Sequence, residues 1–396
     1  MLETLYVGMT GLDSYAKGLN VISNNVANLN TTGFKGSQLQ FSDLYYKNND
    51  AGLGAGDPQQ QIGGGVGTGG TFLNFQQGEA RQTGGDLDLL IDGPGLFVLR
   101  KEGQTTYTRA GQFQFDEDGF IVDKANGARV AGLANGDQLT DLSITGLRAS
   151  PPKASAQVKL NGNLSTGDAQ HVISSVTVYD TLGTATVLKL TLDNNNAVTP
   201  RSWKVTATTN DGTVVGSGEV RFENGKPALG FDSVALNLTP KDGQSVAFKL
   251  DFSVDVTSFA GGTDSTLSVA SQDGYAAGSL VKASFDGDGN FVTTYSNGQV
   301  EKHGRLALAW FSSTDALEQV GGNQFVNRFG QEPNVGQPGQ AEFGKIVARS
   351  LEMSNVDLSQ QFSEMIITQR GYQASSQIIT TANEMIQQLL DMRGKR

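Results

Sequence analysis

Gly65, Gly67 and Gly70 satisfy the GxGxxG spacing with which a strand–turn–helix unit cradles a pyrophosphate. No strand pattern precedes them and no helix pattern follows, so the segment reads as a flexible turn and not as a dinucleotide site. Asp286, Asp288 and Asn290 begin like a calcium loop, yet Phe291 stands where the loop needs glycine and Asn297 where it needs a bidentate glutamate. That stretch reads as a hairpin turn. His171 and His303 are the only 2 histidines, and no HExxH helix, GxSxG elbow or phosphate-loop GK[ST] accompanies them. They read as ordinary strand or surface residues. Ser279 and Lys282 match SxxK without the SDN and KTG partners that give the motif meaning. With 0 cysteines, disulfides, thiolate nucleophiles and cysteine-bearing zinc or iron–sulfur sites are excluded together. Trp203 and Trp310 read as core anchors. The sequence therefore offers no catalytic, cofactor-binding or metal site, and the chain is not expected to be an enzyme.

The elements that carry these residues follow from composition. A length of 396 residues predicts two or three domains, and 37% hydrophobic content is enough to build cores. The 51 glycines show no collagen period and come with only 9 prolines, so they belong to many tight turns. A net charge of −11 disfavours gripping nucleic-acid phosphates or anionic membrane surfaces. No run of apolar residues is long enough to span a bilayer as a helix. The first residues lack a basic region followed by an apolar stretch, so export, if it occurs, is expected without an ordinary cleaved signal.

The ends and the middle differ. Leu5, Met9, Leu12, Ala16, Leu19, Ser23 and Val26 step by four and three along a helical seam. Leu358, Phe362, Met365, Gln369, Tyr372, Ser376, Ile379, Asn383, Ile386 and Leu390 repeat that stepping at the other end, so the termini read as coiled-coil partners. Ser354, Asn355 and Asp357 offer N-cap oxygens, Gly33 suits a left-handed stop, and Arg393, Lys395 and Arg396 suit the negative end of the last helix dipole. A helical hairpin within one chain is the simplest use of such seams. The outer faces ask for more: Glu3, Asp13 and Lys17 are the only charges on the first helix, and Glu364, Arg370, Glu384 and Asp391 the only ones between Ser359 and Met392. Gln, Ser, Thr and Asn fill the rest, and these are buried against a neighbour at far lower desolvation cost than Lys or Glu. Between the helices, short β-branched and aromatic runs alternate with Asn-Gly, Asp-Gly and Gly-Gly pairs, predicting an all-β body. Phe113–Phe120 and Phe285–Phe291 read as two similar hairpins of one domain. A block from about Leu147 to Leu280 reads as a second sandwich or barrel inserted in the first.

Leu19–Asn28, with Ser23, Asn24, Asn25, Ala27 and Asn28, followed by Thr31–Lys35 with Gly33 and Phe34, resembles the N-terminal signature of bacterial flagellar rod and hook proteins. Leu351–Leu358, with Ser354, Asn355, Val356 and Asp357, followed by Met365–Ala374 with Gln369, Arg370 and Tyr372, resembles that family's C-terminal signature. Phe75–Gly78, Leu87-Asp88, Ile91–Gly93 and Tyr107–Gly111 fit its β domain, and Val178–Gly183, Asp273–Gly278, Tyr295–Gly298 and Leu306–Ala309 resemble its hook members. Leu96 stands where phenylalanine is usual, Asn383 where aspartate is common, and Trp310–Ser313 where hook members often carry Asn-Phe-x-Asn.

The resemblance implies a mainly β fold with paired terminal α-helices and two nested β domains. The expected layout is an axial helix over 1–28, an extended linker over 29–70, a first β domain over 71–146 and 281–353, an inserted outer β domain over 147–280 and an axial helix over 354–396. It implies a structural subunit that polymerises into a curved helical tube, a universal joint carrying motor torque to the filament. Leu5, Met9, Leu12, Leu19, Val26, Phe362, Met365, Tyr372, Ile379, Ile386 and Leu390 would be its assembly residues. The expected partners are further copies of the chain, the rod at the proximal end, a cap during assembly, junction proteins at the distal end and the flagellar type III export apparatus, with no nucleic acid and no cofactor. The expected place is the extracellular hook on the cell surface, reached without a cleaved signal peptide. A distal rod protein is the alternative within the family, which the insertion opposes, and a β-domain adhesin or polysaccharide enzyme the alternative outside it.

A narrow seam offsets little of the backbone entropy lost in ordering two long helices. Hydrogen exchange on a demonstrably monomeric sample is therefore expected to show a protected β body with weakly protected 5–26 and 362–390; strong protection of both helices would show that they need no neighbours.

Overall fold

The computed structural model describes residues 2–48, 61–134, 138–239, 244–328 and 330–394. It is mainly β, with one helix at each end: α1, Leu2–Ala27, and α2, Leu358–Gly394. Two compact units divide the chain, one of residues 1–145, 283–292 and 302–396, the other of 146–282 and 293–301. No described helix is long and apolar enough to cross a membrane.

In the first unit α1 and α2 pack antiparallel, as Gly8 beside Ile379, Gly11 beside Ser375, Gly18 beside Thr368 and Asn25 beside Gln361 establish. Asp357 caps α2, its Oδ1 accepting the Ser359 and Gln360 amides at 2.7 and 3.1 Å. Asn28 and Thr31 close α1: the Asn28 amide donates to the Asn24 carbonyl at 2.9 Å and the Thr31 hydroxyl to Asn28 Oδ1 at 3.1 Å. Gly33 then takes φ +69°, and a Cβ there would come within 2.8 Å of the Ala110 Cα. The β part of this unit pairs Leu96–Lys101 with Gln104–Thr108 and with Arg129–Ala134 over a core of Leu96, Val98, Tyr107, Leu133, Phe311 and Phe325. The Phe113 and Phe285 hairpins both belong here, with the Phe115 and Phe291 rings 6.4 Å apart.

Three expectations are corrected. The 29–70 segment is not simply an extended linker, because Ser37–Asp43 pairs antiparallel with Val66–Leu73. This hairpin lies along α1, where the Val66 amide donates to Thr10 Oγ1 and Ser14 Oγ donates to the Val66 carbonyl, each at 3.3 Å. Gly67 and Gly70 thus sit in a strand and not in a flexible turn; glycines hide the period-2 signal while a packed helix supplies the partner. Trp310 is half-buried, and only Trp203 is fully in a core.

The second unit is a sandwich. One sheet orders Ser233–Leu238, Val246–Thr257, Gln157–Asn163 and Ser268–Gln272, and the other runs from Gln170–Tyr179 through Ala185–Asn194, Ser202–Thr209 and Val214–Glu223 to Lys226–Pro227. Alternating residues of both sheets meet in one core, among them Val158, Leu190, Trp203, Val205, Leu250 and Phe252. The chain passes between units inside the strands Gly278–Phe285, Asn290–Tyr295 and Val300–Leu306, where no turn residue marks a boundary, so residues 293–301 join the second unit beyond the 147–280 block read from turn signals.

The two tryptophans lie in different units, which makes fluorescence specific. In a Trp310→Phe background, Leu190→Ala is expected to cost the second unit about 2–5 kcal/mol in urea unfolding followed by Trp203, since Leu190 is fully buried.

Candidate assembly site

The contact between α1 and α2 is made mostly by small and polar residues, with Ile22, Tyr15 and Ile379 among them, and this corrects the expected seam. On α1 the buried positions are Gly8, Gly11, Ser14, Gly18, Ile22 and Asn25; on α2 they are Gln361, Thr368, Ser375 and Ala382, one per heptad. Close approach requires them: a Cβ on Gly11 would stand 2.7 Å from Ser375 Oγ, and one on Gly371 2.5 Å from Tyr15 Cζ. The apolar stripe read from the sequence lies beside that line. Leu5, Leu12, Leu19, Val26, Met365, Ile379 and Ile386 are half-buried along its rim. Met9, Phe362, Tyr372 and Leu390 are exposed, at 61%, 49%, 40% and 62%. Ile366, Ile367, Ile378, Met385 and Leu389 are exposed too. Within one subunit the helices thus leave much of their large apolar surface open, a pattern that marks an interaction surface.

The two signatures meet below the helices. The buried Asn25 amide donates to the Ser37 carbonyl at 2.8 Å and to Gln361 Oε1 at 3.0 Å, while its Oδ1 accepts the Ser37 amide at 2.9 Å. Asn355 Oδ1 accepts the Gly36 amide at 2.8 Å, and its Nδ2 donates to the Asn74 and Gln76 carbonyls. Phe34 and Ser354 are buried, and Val356 is half-buried against Gly36. Ser23, Asn24, Ala27, Gln369 and Arg370 are exposed, and Asn28 and Asp357 serve as the caps described above. The signature therefore divides into residues that fix the junction of the helices with the β part and residues that face outward.

Sequence reasoning passed over a buried cluster of charges. Lys35 and Glu352 are fully buried, with Nζ 2.5 Å from Oε1, and Arg109 reaches Glu352 Oε2 at 3.3 Å. Lys35 also donates to the Gln76 carbonyl at 2.7 Å, the Gly78 amide to Glu352 Oε1 at 2.9 Å, and Arg109 to the Ile91 and Gly93 carbonyls at 3.1 and 2.7 Å. Burial pulls the Lys35 ammonium below its usual range, opposed by the adjacent Glu352 carboxylate, and it pulls Arg109 down in the same way. All three residues stand inside the quoted motifs, but no local pattern announces that charges at 35, 109 and 352 converge.

The Asp286 loop and His171 are accounted for locally. Asp286 Oδ1 accepts the Asp288 and Asn290 amides at 3.1 and 2.8 Å and its Oδ2 binds Lys302 at 2.8 Å, the arrangement of a hairpin turn. His171 bonds the Leu267 carbonyl at 2.8 Å. Among the described residues no group of three His, Asp or Glu side chains is placed to hold a metal.

Comparison with known proteins bears on the same segments. Residues 5–35 match the family model for the flagella basal body rod protein, 90–216 that for the flagellar hook protein FlgE/F/G D1 domain and 347–392 that for the flagellar basal body rod FlgEFG protein C-terminal region. The flagellar hook protein FlgE of Treponema pallidum is 31% identical, covering 99% of this chain and 100% of that protein. The chain belongs to the flagellar hook protein family. Hook proteins of Borreliella burgdorferi and Salmonella typhimurium are similar at 29% and 30% identity, over 100% and 97% of this chain and 100% and 98% of their own lengths. The crystal structure of the Helicobacter pylori flagellar hook protein FlgE2 shares the fold, with TM-score 0.51 and 16% identity over 69% of this chain and 100% of that one. Membership in the hook protein family makes the chain a structural subunit of the flagellar hook.

Removing one partner of a buried ion cluster leaves uncompensated charge. Glu352→Leu is expected to cost the first unit about 3–5 kcal/mol, read from denaturant unfolding followed by Trp310.

Proposed function

We propose that the protein polymerises through its terminal helices into the curved tube of the hook and acts there as a universal joint between motor and filament. The observation that carries this is the displaced seam: small residues pair α1 with α2 inside the subunit, while Met9, Phe362, Ile366, Ile367, Tyr372 and Leu390 remain exposed. Such surface is costly in water and is removed when copies pack side by side. A heterologous contact repeated by rotation and rise gives an open helical filament, so one type of subunit suffices for a tube.

In this reading the helices line the inner wall around the export channel, the first β unit forms the middle layer and the sandwich the outer one. Bending asks the inner contacts to persist while outer contacts lengthen and shorten as each subunit passes the curved side. Polar outer interfaces suit such sliding, because large apolar ones would lock a single arrangement. The partners are the rod below, the cap during growth and the junction proteins above, and delivery is by the flagellar type III apparatus without a cleaved signal. The assembled chain lies outside the cell, and its task is mechanical rather than enzymatic.

Phe362 makes the test selective because it is half exposed in the subunit. Phe362→Glu is expected to leave the unfolding free energy of the monomer within about 0.5 kcal/mol of wild type, as surface substitutions do, while abolishing tubes and hooks. Normal tubes from this variant, seen by electron microscopy, would overturn the role given to the helix surface.

A further inference from the structure

α2 is longer than its partner. With Gly8 beside Ile379 and the helices antiparallel, residues 385–394 run past the described start of α1. At ~1.5 Å per residue this overhang is about 15 Å long. It is also apolar: Met385, Leu389, Leu390 and Met392 are exposed on it, and Arg393, Lys395 and Arg396 follow in the sequence. Within the subunit these four side chains are 42% to 67% exposed.

At the opposite end of the same helix pair is a groove of about 320 Å³, bounded by α1, α2 and the strand Ser37–Asp43. Val21, Ile22, Leu39, Phe41 and Ile367 line it with apolar surface, and Glu364 adds a carboxylate. Ile367 and Phe41 are 70% and 46% exposed, so the groove is open. It has room for aliphatic side chains but not for a whole helix. A stripe of leucine and methionine complements it in apolar character.

We propose, building on the assembly reading above, that the α2 overhang of one copy seats Leu389 and Leu390 in this groove of a second copy. The overhang cannot fill its own groove, because Ile367 and Leu390 are held on one continuous helix and stand ~35 Å apart at 1.5 Å per residue. Groove and overhang are different surfaces at opposite ends of one helix pair, so the contact is head to tail and leaves a free groove and a free overhang at every step. That is the condition for an open filament and against a closed dimer.

The absence of cysteine gives a direct test. Ile367→Cys combined with Leu390→Cys puts one thiol in the groove and one on the overhang, too far apart within a chain for a disulfide. Mild oxidation of assembled tubes is expected to give a reducible ladder of covalent multimers on a denaturing gel. Each single variant, having one thiol, is expected to stop at dimers or below. Val21→Cys with Leu389→Cys provides a second pair should the first disturb assembly, and a ladder from either pair supports the contact. Tubes of normal appearance with no ladder from either pair would overturn the pairing and leave assembly through the helices intact. Failure of the unmodified chain to form tubes would instead strike the assembly reading itself.

Discussion

The carboxylate of Glu352 is the point on which the first unit turns. It is fully buried, and it is held by a lysine from the segment after α1, an arginine from the β domain and a backbone amide from the Phe75–Gly78 segment. A carboxylate taken out of water survives only with its charge and lone pairs answered, so none of these segments can shift alone. Glu352 pairs in a ladder with Ala80, and the Gly33 amide donates to its carbonyl at 2.7 Å. Six residues later α2 begins, and eight residues before Lys35 α1 ends. The ion cluster thus sets where both helices leave the β body, and Asn25 and Asn355 set how they leave it.

From that anchor the helices run together on a line of small residues. A seam of leucines would have buried the large side chains between α1 and α2 and produced a self-sufficient hairpin. Glycine, serine and threonine instead let the backbones approach, and the dispersion gained by close packing replaces part of the missing apolar burial. Most of the large apolar side chains then point to the flanks. For a subunit of a polymer, this division separates what holds one chain together from what holds many together.

Much of this was legible in the sequence, and particular residues show why. The terminal helices announced themselves through stepping by three and four, the β body through its turn pairs, and the hairpin nature of Asp286–Asn290 through the missing glycine and glutamate. Such features are local, and local steric and hydrogen-bonding preferences act over a few residues. The hairpin of Ser37–Asp43 with Val66–Leu73 was not legible, because a glycine-rich strand carries no alternating pattern and gains its order from α1 lying against it.

The sequence by itself determined the class of elements, their order along the chain, the absence of cysteine chemistry and the low charge of the helices. Only the tertiary structure decided which helical stripe faces inward. Periodicity reports that a helix has an apolar side, but not whether that side meets its own partner or another copy, and backbone distance at Gly11 and Gly371 settled the matter for the small residues. It also decided that Lys35, Arg109 and Glu352 meet, since charges separated by hundreds of residues are joined by the path of the chain through space, and no spacing along the sequence encodes that path.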